Sequence, residues 1–94
     1  MDAKIGYKKA KSSQEAFASV KAAITPEYIE KFKVKAKINY DEKKKLITAS
    51  GMGFNLDINF SDKEVALNLK LSLILRPIKG KVLETLEREI KKHV

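Results

Sequence analysis

Residues 65–94, VALNLKLSLILRPIKGKVLETLEREIKKHV, decide how the rest of the chain is arranged. In the first part of this stretch an apolar residue occupies every odd position: Val65, Leu67, Leu69, Leu71, Leu73 and Leu75. Successive side chains of a strand point to opposite faces, so the pattern predicts a strand that buries one face. Arg76 and Pro77 should end this strand, because proline has no N–H to donate to a neighbouring strand.

The second part of the stretch predicts an amphipathic helix that begins at Pro77, since proline suits the first turn of a helix. Its apolar residues recur mostly in steps of three and four and therefore form one stripe. They are Ile78, Val82, Leu83, Leu86, Ile90 and Val94. Two further pairs, Glu84 with Arg88 and Glu87 with Lys91, have the spacing and order of stabilising ion pairs. The earlier segments should pack against this strand and helix.

The residues before Lys33 predict a short strand and a broken helix. Lysines alternate with Ile5 and Tyr7 over residues 4–9, as in an edge strand that resists unwanted pairing. Ser12 and Glu15 have the spacing of a capping box at the start of a helix. Thr25-Pro26 combines a cap with a first-turn proline, so a second helix should begin there. A single kinked helix is the alternative.

Three more strands follow, at about 33–40, 46–50 and 54–60, before the final strand. The first alternates apolar residues with lysines. One strand over 46–60 would be about 50 Å long, so Gly51-Met52-Gly53 should separate two strands. The predicted order is β-α-β-β-β-β-α, an α+β fold in a single domain. An antiparallel sheet of about five strands should carry two helices on its apolar face.

The composition limits the class of protein. The 94 residues include no cysteine, so neither a disulfide nor a thiolate metal site is available. No stretch has the length of a transmembrane helix. The N-terminal segment MDAKIGYKKAKSS contains no apolar block and does not resemble a signal peptide. We therefore expect a soluble, cytoplasmic protein.

The charge is strongly basic and uneven. The net charge is +8, and residues 1–45 hold 12 lysines against 6 acids. Such a balance predicts an anionic partner, namely nucleic acid, an anionic lipid surface or an acidic protein, unless the lysines simply form a solvated surface. The candidate contacts for this partner are Lys33, Lys35, Lys37, Lys43, Lys44 and Lys45. Only two basic residues are arginine, which favours diffuse attraction over the reading of bases.

No set of residues in the sequence predicts a catalytic, cofactor-binding or metal site. The single histidine, His93, is next to the last residue, where a general base is poorly held. Asn55, Asp57 and Asn59 alternate with apolar residues and should face solvent. The glycines of Gly51-Met52-Gly53 lack the spacing of a dinucleotide-binding loop. We therefore expect a protein that is not an enzyme.

The second half of the chain resembles the polyhydroxyalkanoic acid system family of small bacterial proteins, in particular through GMGF at 51–54, the alternating apolar strand that begins at Val65, and LSLILRPIKGKVLETLEREI at 71–90. The order of elements agrees with that family from about Ile5 to the end of the chain. The resemblance implies an accessory protein associated with polyester storage granules, with no catalytic residues to carry over. The element order is also similar to a reduced helix-grip fold, in which the sheet and the C-terminal helix enclose an apolar cavity.

Three functions follow from these observations. The first is a non-enzymatic protein that binds a polyester granule or another protein, for which Met52, Ile74 and Ile78 are the candidate apolar contacts. The second is a basic module that binds nucleic acid or an anionic surface through the lysines of residues 4–45. The third is a small carrier of apolar ligands. The exposed edge strand also allows pairing with a second copy of the chain.

Overall fold

The computed structural model describes residues 2–32 and 35–94, and it confirms the α+β fold with an antiparallel sheet. The strands pair in the order β1-β5-β4-β3-β2, and every pair is antiparallel. In chain order the elements are β1 (Ala3–Gly6), α1 (Ser13–Ala23), α2 (Pro26–Glu30), β2 (Ala36–Asp41), β3 (Leu46–Gly51), β4 (Phe54–Phe60), β5 (Glu64–Leu71) and α3 (Lys79–Lys91). Lys33 and Val34, which were predicted to belong to the first of the three middle strands, lie outside the described residues.

The apolar face of the sheet holds the core. In β4 the residues alternate strictly between buried and exposed, as the sequence predicts, and β5 continues that pattern beside it. The three helices supply the opposite side of the core through buried residues such as Phe17, Ile29 and Leu86. The Phe17 ring meets the Phe60 ring edge to face at 5.5 Å, which joins α1 to the sheet. No helix within residues 2–32 and 35–94 covers the other face of the sheet.

The break between α1 and α2 occurs where the sequence predicts it. The hydroxyl of Ser12 accepts a hydrogen bond from the Glu15 N–H at 3.2 Å and caps α1. The hydroxyl of Thr25 accepts one from the Tyr28 N–H at 3.2 Å and caps α2. Proline at 26 disfavours a helical conformation at the residue before it, so α1 cannot continue through this point.

The predicted end of the last strand is wrong by four residues. β5 stops at Leu71, and the Leu73 side chain is 77% exposed although its parity matches the core set. The cause is the length of the partner, because Leu71 pairs with Phe54, the first residue of β4. The chain then turns, with the Ser72 carbonyl accepting N–H bonds from Leu75 and Arg76. A short 3₁₀ turn at Arg76–Ile78 precedes α3, which begins two residues after the predicted start.

The two ends of the described chain are held to the sheet. β1 is shorter than the predicted strand, and Tyr7 lies just beyond it with its hydroxyl donating to the Ser61 carbonyl at 2.7 Å. After α3, the backbone oxygen of Val94 accepts N–H bonds from Lys8, Lys9 and Ala10 at 2.6, 2.6 and 2.9 Å. Three converging donors at one oxygen fix the end of α3 against the segment that follows β1.

Candidate surface-binding site

Four large apolar side chains are exposed among the described residues, and they lie at one end of the sheet. Their exposed fractions are 97% for Met52, 77% for Leu73, 88% for Ile74 and 37% for Ile78. We call these four residues the apolar corner. Single apolar residues are common on protein surfaces, but a group on adjoining turns indicates a contact surface.

The two turns that carry the corner pack directly on each other. The Ser72 N–H donates to the Gly53 carbonyl at 2.9 Å, which links the turn after β5 to the β3–β4 turn. Gly53 has a φ of 76°, and a methyl group on it would lie 2.8 Å from Ser72 Oγ and 3.6 Å from Leu75 Cδ1. Glycine is therefore needed here both for the conformation and for the close approach. Leu75 packs against the core and anchors the second turn.

The edge strand β2 begins at this end of the sheet, next to the β3–β4 turn. A methyl group on Gly51 would overlap the Lys35 carbonyl oxygen, so the backbone of residue 35 runs against the β3–β4 turn. Ala36 pairs with Gly51 and Lys37 pairs with Ser50. This register places the exposed Lys35 and Lys37 next to the turn that holds Met52.

The charge around the corner is positive. Three segments that meet there, residues 35–37, 50–54 and 70–83, contain no aspartate or glutamate. One carboxylate does approach, since Asp2 pairs with Lys79 at 3.2 Å. The Asp2 carboxylate also accepts the Leu69 N–H at 2.6 Å, and this hydrogen bond, together with Lys79, lowers the pKa of Asp2. The Asp2 carboxylate, directly before β1, is therefore already paired with one lysine and one backbone N–H.

We call five further basic side chains the corner cations. They lie on the segments that meet at the corner and form no ion pair with any described residue. They are Lys35, Lys37, Lys70, Arg76 and Lys81. All five are exposed, so they can approach an anionic surface without losing an internal partner.

A groove extends the corner along the helices. It has a volume of about 340 Å³ and lies between the end of α2 and the start of α3, with Phe32, Ile78 and Val82 among its lining residues and Lys31 and Lys81 beside them. A second groove, of about 460 Å³, borders Lys35 and Gly51 at the β2–β3 edge. Both grooves open to the surface. The space between sheet and helices is filled by side chains with no exposed area, such as Ile58, Leu67 and Leu86.

The structure divides the six lysines that were predicted as contacts for an anionic partner. Lys35 and Lys37 lie beside the apolar corner, whereas Lys43 and Lys44 lie in the β2–β3 turn at the opposite end of the sheet. Lys45 folds toward α1, with its ammonium group 6.0 Å from the centre of the Phe17 ring and a hydrogen bond to the Glu42 carbonyl. Lys33 lies outside the described residues.

The other polar residues considered as candidates for a reactive site do not come together, because three of them lie on β4 and His93 lies just after α3. Asn55, Asp57 and Asn59 face solvent on the open side of the sheet, as the alternation predicts. His93 Nε2 lies 3.0 Å from a Glu89 carboxylate oxygen, and this contact lowers the pKa of Glu89. Within residues 2–32 and 35–94 no group of three or more acidic or histidine side chains is arranged to hold a metal ion.

Leu73 is the residue of the corner that sequence reasoning missed. Its odd position assigned it to the buried face of a longer strand. The signal that could have found it is the length of β4, because a seven-residue partner that pairs Phe60 with Val65 ends at Leu71. Met52, Ile74 and Ile78 were predicted as apolar contacts, and the structure brings all three to this end.

None of the described helices has the length and apolar character needed to cross a membrane. Comparison of the chain with protein-family models, with curated proteins and with solved structures gives no match. A function for this protein is therefore inferred from the geometry of the corner and from the sequence itself.

Proposed function

We propose that this chain is a non-enzymatic accessory protein that attaches to the surface of polyhydroxyalkanoate granules through the apolar corner. The observation that carries the proposal is the exposure of Met52, Leu73 and Ile74 on two turns in contact. Burying one such side chain contributes about 1.5–3 kcal/mol. Three provide at most roughly 5–9 kcal/mol, before the cost of immobilising the protein.

The family resemblance supports the granule as the surface. Two of the segments that carry it, residues 51–54 and 71–90, contain every residue of the apolar corner. Residues selected only for a core would be buried, but Met52 and Ile74 are almost fully exposed. A contact with a water-insoluble polymer explains why apolar residues occupy these turns.

Co-sedimentation with purified polyester granules tests the proposal. The double variant Met52→Ser/Ile74→Ser should weaken binding by more than about tenfold, because two of the inserted side chains are lost. The matched control is Lys43→Ser/Lys44→Ser, which changes two exposed residues at the opposite end of the sheet and should leave binding within about twofold at moderate salt. Equal binding of the wild type and the corner variant would contradict the proposal.

A further inference from the structure

We infer that the surface on which the apolar corner docks carries anionic phospholipid headgroups. Met52, Leu73 and Ile74 enter the apolar layer, while the corner cations contact the headgroups above it. This inference rests on the function proposed above, because it names the chemistry that the same corner recognises. It adds a charge requirement that attachment to a neutral polyester does not have.

The shape of the corner suits shallow insertion into a lipid layer. Its most exposed side chains project from turns rather than from a groove or a flat helix face, with Met52 at the tip of the β3–β4 turn. Leu75 and the Gly53–Ser72 hydrogen bond hold the two turns together. A preformed apolar tip can insert without unfolding, and its affinity grows with the apolar area that it buries.

The charges around the corner have the arrangement that an anionic headgroup layer requires. Lys35 borders the β3–β4 turn, Arg76 directly follows the turn after β5, and Lys81 lines the groove beside Ile78. No carboxylate among the described residues pairs with any of the three. The Asp2 carboxylate is already occupied by Lys79 and by the Leu69 N–H. Each cation held close to an anionic membrane surface strengthens binding by about fivefold.

The charges at the two ends of the sheet determine the orientation in which the protein binds. The two turns at the opposite end, 42–45 and 61–63, together with the strand ends beside them, carry four carboxylates and four lysines, so the local charge is close to zero. The acid-free corner would be attracted to an anionic surface, whereas the charges at this far end nearly cancel and give little attraction. The protein should therefore dock end-on, with its strands steep to the lipid surface.

The positive charge of the chain also favours one kind of binding partner at the corner over the others. A second copy of a chain with net charge +8 would bring two sets of corner cations together, which is unfavourable. A bare polyester surface is neutral and would leave those cations without partners. An anionic lipid layer satisfies the apolar tips and the cations at the same time.

Vesicle co-sedimentation tests the inference with three forms of the protein. The vesicles are phosphatidylcholine alone or phosphatidylcholine with one third phosphatidylglycerol, and purified polyester granules are measured in parallel, both as isolated and stripped of lipid. The corner variant is Lys35→Gln/Arg76→Gln/Lys81→Gln. The matched control, Lys43→Gln/Lys44→Gln/Lys63→Gln, removes the same charge from the turns at the opposite end. Thermal unfolding by circular dichroism verifies that both variants fold.

Wild-type protein should bind the anionic vesicles and lose that binding as salt rises. At about 0.1 M salt the corner variant should bind them up to about 100-fold more weakly, since three contributions of about fivefold are lost. At the same salt the control should lose less than about threefold, because the screening length is then about 10 Å and its lysines lie a full strand length away from the corner.

Equal losses in the two variants, or equal binding to neutral and anionic vesicles, would overturn the inference. Binding to stripped granules without binding to anionic vesicles would overturn it too, while the proposed function would stand. Binding to anionic vesicles but not to granules as isolated, with their lipid, would support the lipid inference and remove the granule from the proposed function.

Discussion

Substitution of Gly53 by alanine tests the contact that assembles the apolar corner. Gly53 has a φ of 76°, a conformation that costs a residue with a Cβ about 1–2 kcal/mol. The added methyl would also lie 2.8 Å from Ser72 Oγ and 3.1 Å from Ser72 Cβ, so the second turn must move. We expect a total loss of about 2–3 kcal/mol in the free energy of unfolding.

The variant should lose this stability and still fold, so that the loss can be measured. A chain of this length is typically stable by about 5–14 kcal/mol, so Gly53→Ala should remain folded. Its Tm should fall by roughly 10–20 °C, because each kcal/mol shifts the Tm of a small domain by several degrees. Circular dichroism is the assay, and urea unfolding at one temperature gives the free energy directly.

Gly80→Ala is the matched control for this experiment. Gly80 lies in the first turn of α3, and a methyl group there meets no atom within 4 Å. Alanine is the better helix former, so the free energy of unfolding should stay equal or rise by about 0.5 kcal/mol. A Gly53→Ala variant within about 0.5 kcal/mol of the wild type would refute the described contact between the turns.

Three further predictions concern pH, the end of β5 and a helix cap. Burial, with a smaller effect of nearby carboxylates, raises the pKa of Tyr7 from 10.0 to about 12. The folded protein therefore keeps a proton that the unfolded chain releases above pH 10, and stability should fall between about pH 10 and pH 12. Tyr7→Phe removes the hydrogen bond to the Ser61 carbonyl, so it should lower the free energy of unfolding at pH 7 by about 1 kcal/mol. It should also reduce the loss of stability at alkaline pH, and urea midpoints measured at pH 7 and in the alkaline range test both effects. Leu69→Ala should cost about 2–5 kcal/mol and Leu73→Ser less than about 0.5 kcal/mol by thermal and urea unfolding, because Leu69 is fully buried and Leu73 is exposed. Thr25→Ala should cost about 1 kcal/mol by loss of the α2 cap, whereas Thr25→Ser should keep most of it.

Each of these predictions has a result that would contradict it. The same alkaline loss in the wild type and in Tyr7→Phe would assign that loss to other groups, such as Tyr28 and Tyr40, whose pKa is also raised by burial. A large cost for Leu73→Ser would mean that the strand continues past Leu71. Equal stabilities of the alanine and serine variants at Thr25 would show that its hydroxyl does not cap α2.

Local patterns predicted most elements of this fold because each element carries its own signal. β4 alternates between apolar and polar residues at every position, so its buried face could be derived without its neighbours. Ser12 and Thr25 mark the helix starts through hydrogen bonds to residues three positions along the chain. Such contacts depend on spacing alone and are visible in a sequence.

The features that the sequence did not reveal depend on contacts between distant segments. The alternation runs on through Leu73, but the strand ends where its partner begins at Phe54, a fact of register. Lys35 and Lys43 are close in sequence, yet β2 separates them to opposite ends of the sheet. The contact between Gly53 and Ser72 follows from the same register and could not be derived beforehand.

The most direct test of the account is to ask which end of the molecule meets the surface. The chain contains no tryptophan, so Met52→Trp and Lys43→Trp each introduce a single fluorescent reporter, one at the corner and one at the opposite end. On addition of polyester granules or anionic vesicles, we expect the emission of Trp at position 52 to shift to shorter wavelength, because its ring leaves water. Emission from position 43 should not change. A shift at position 43 equal to that at position 52, or bound protein with no shift at position 52, would contradict the assignment of the apolar corner as the binding surface.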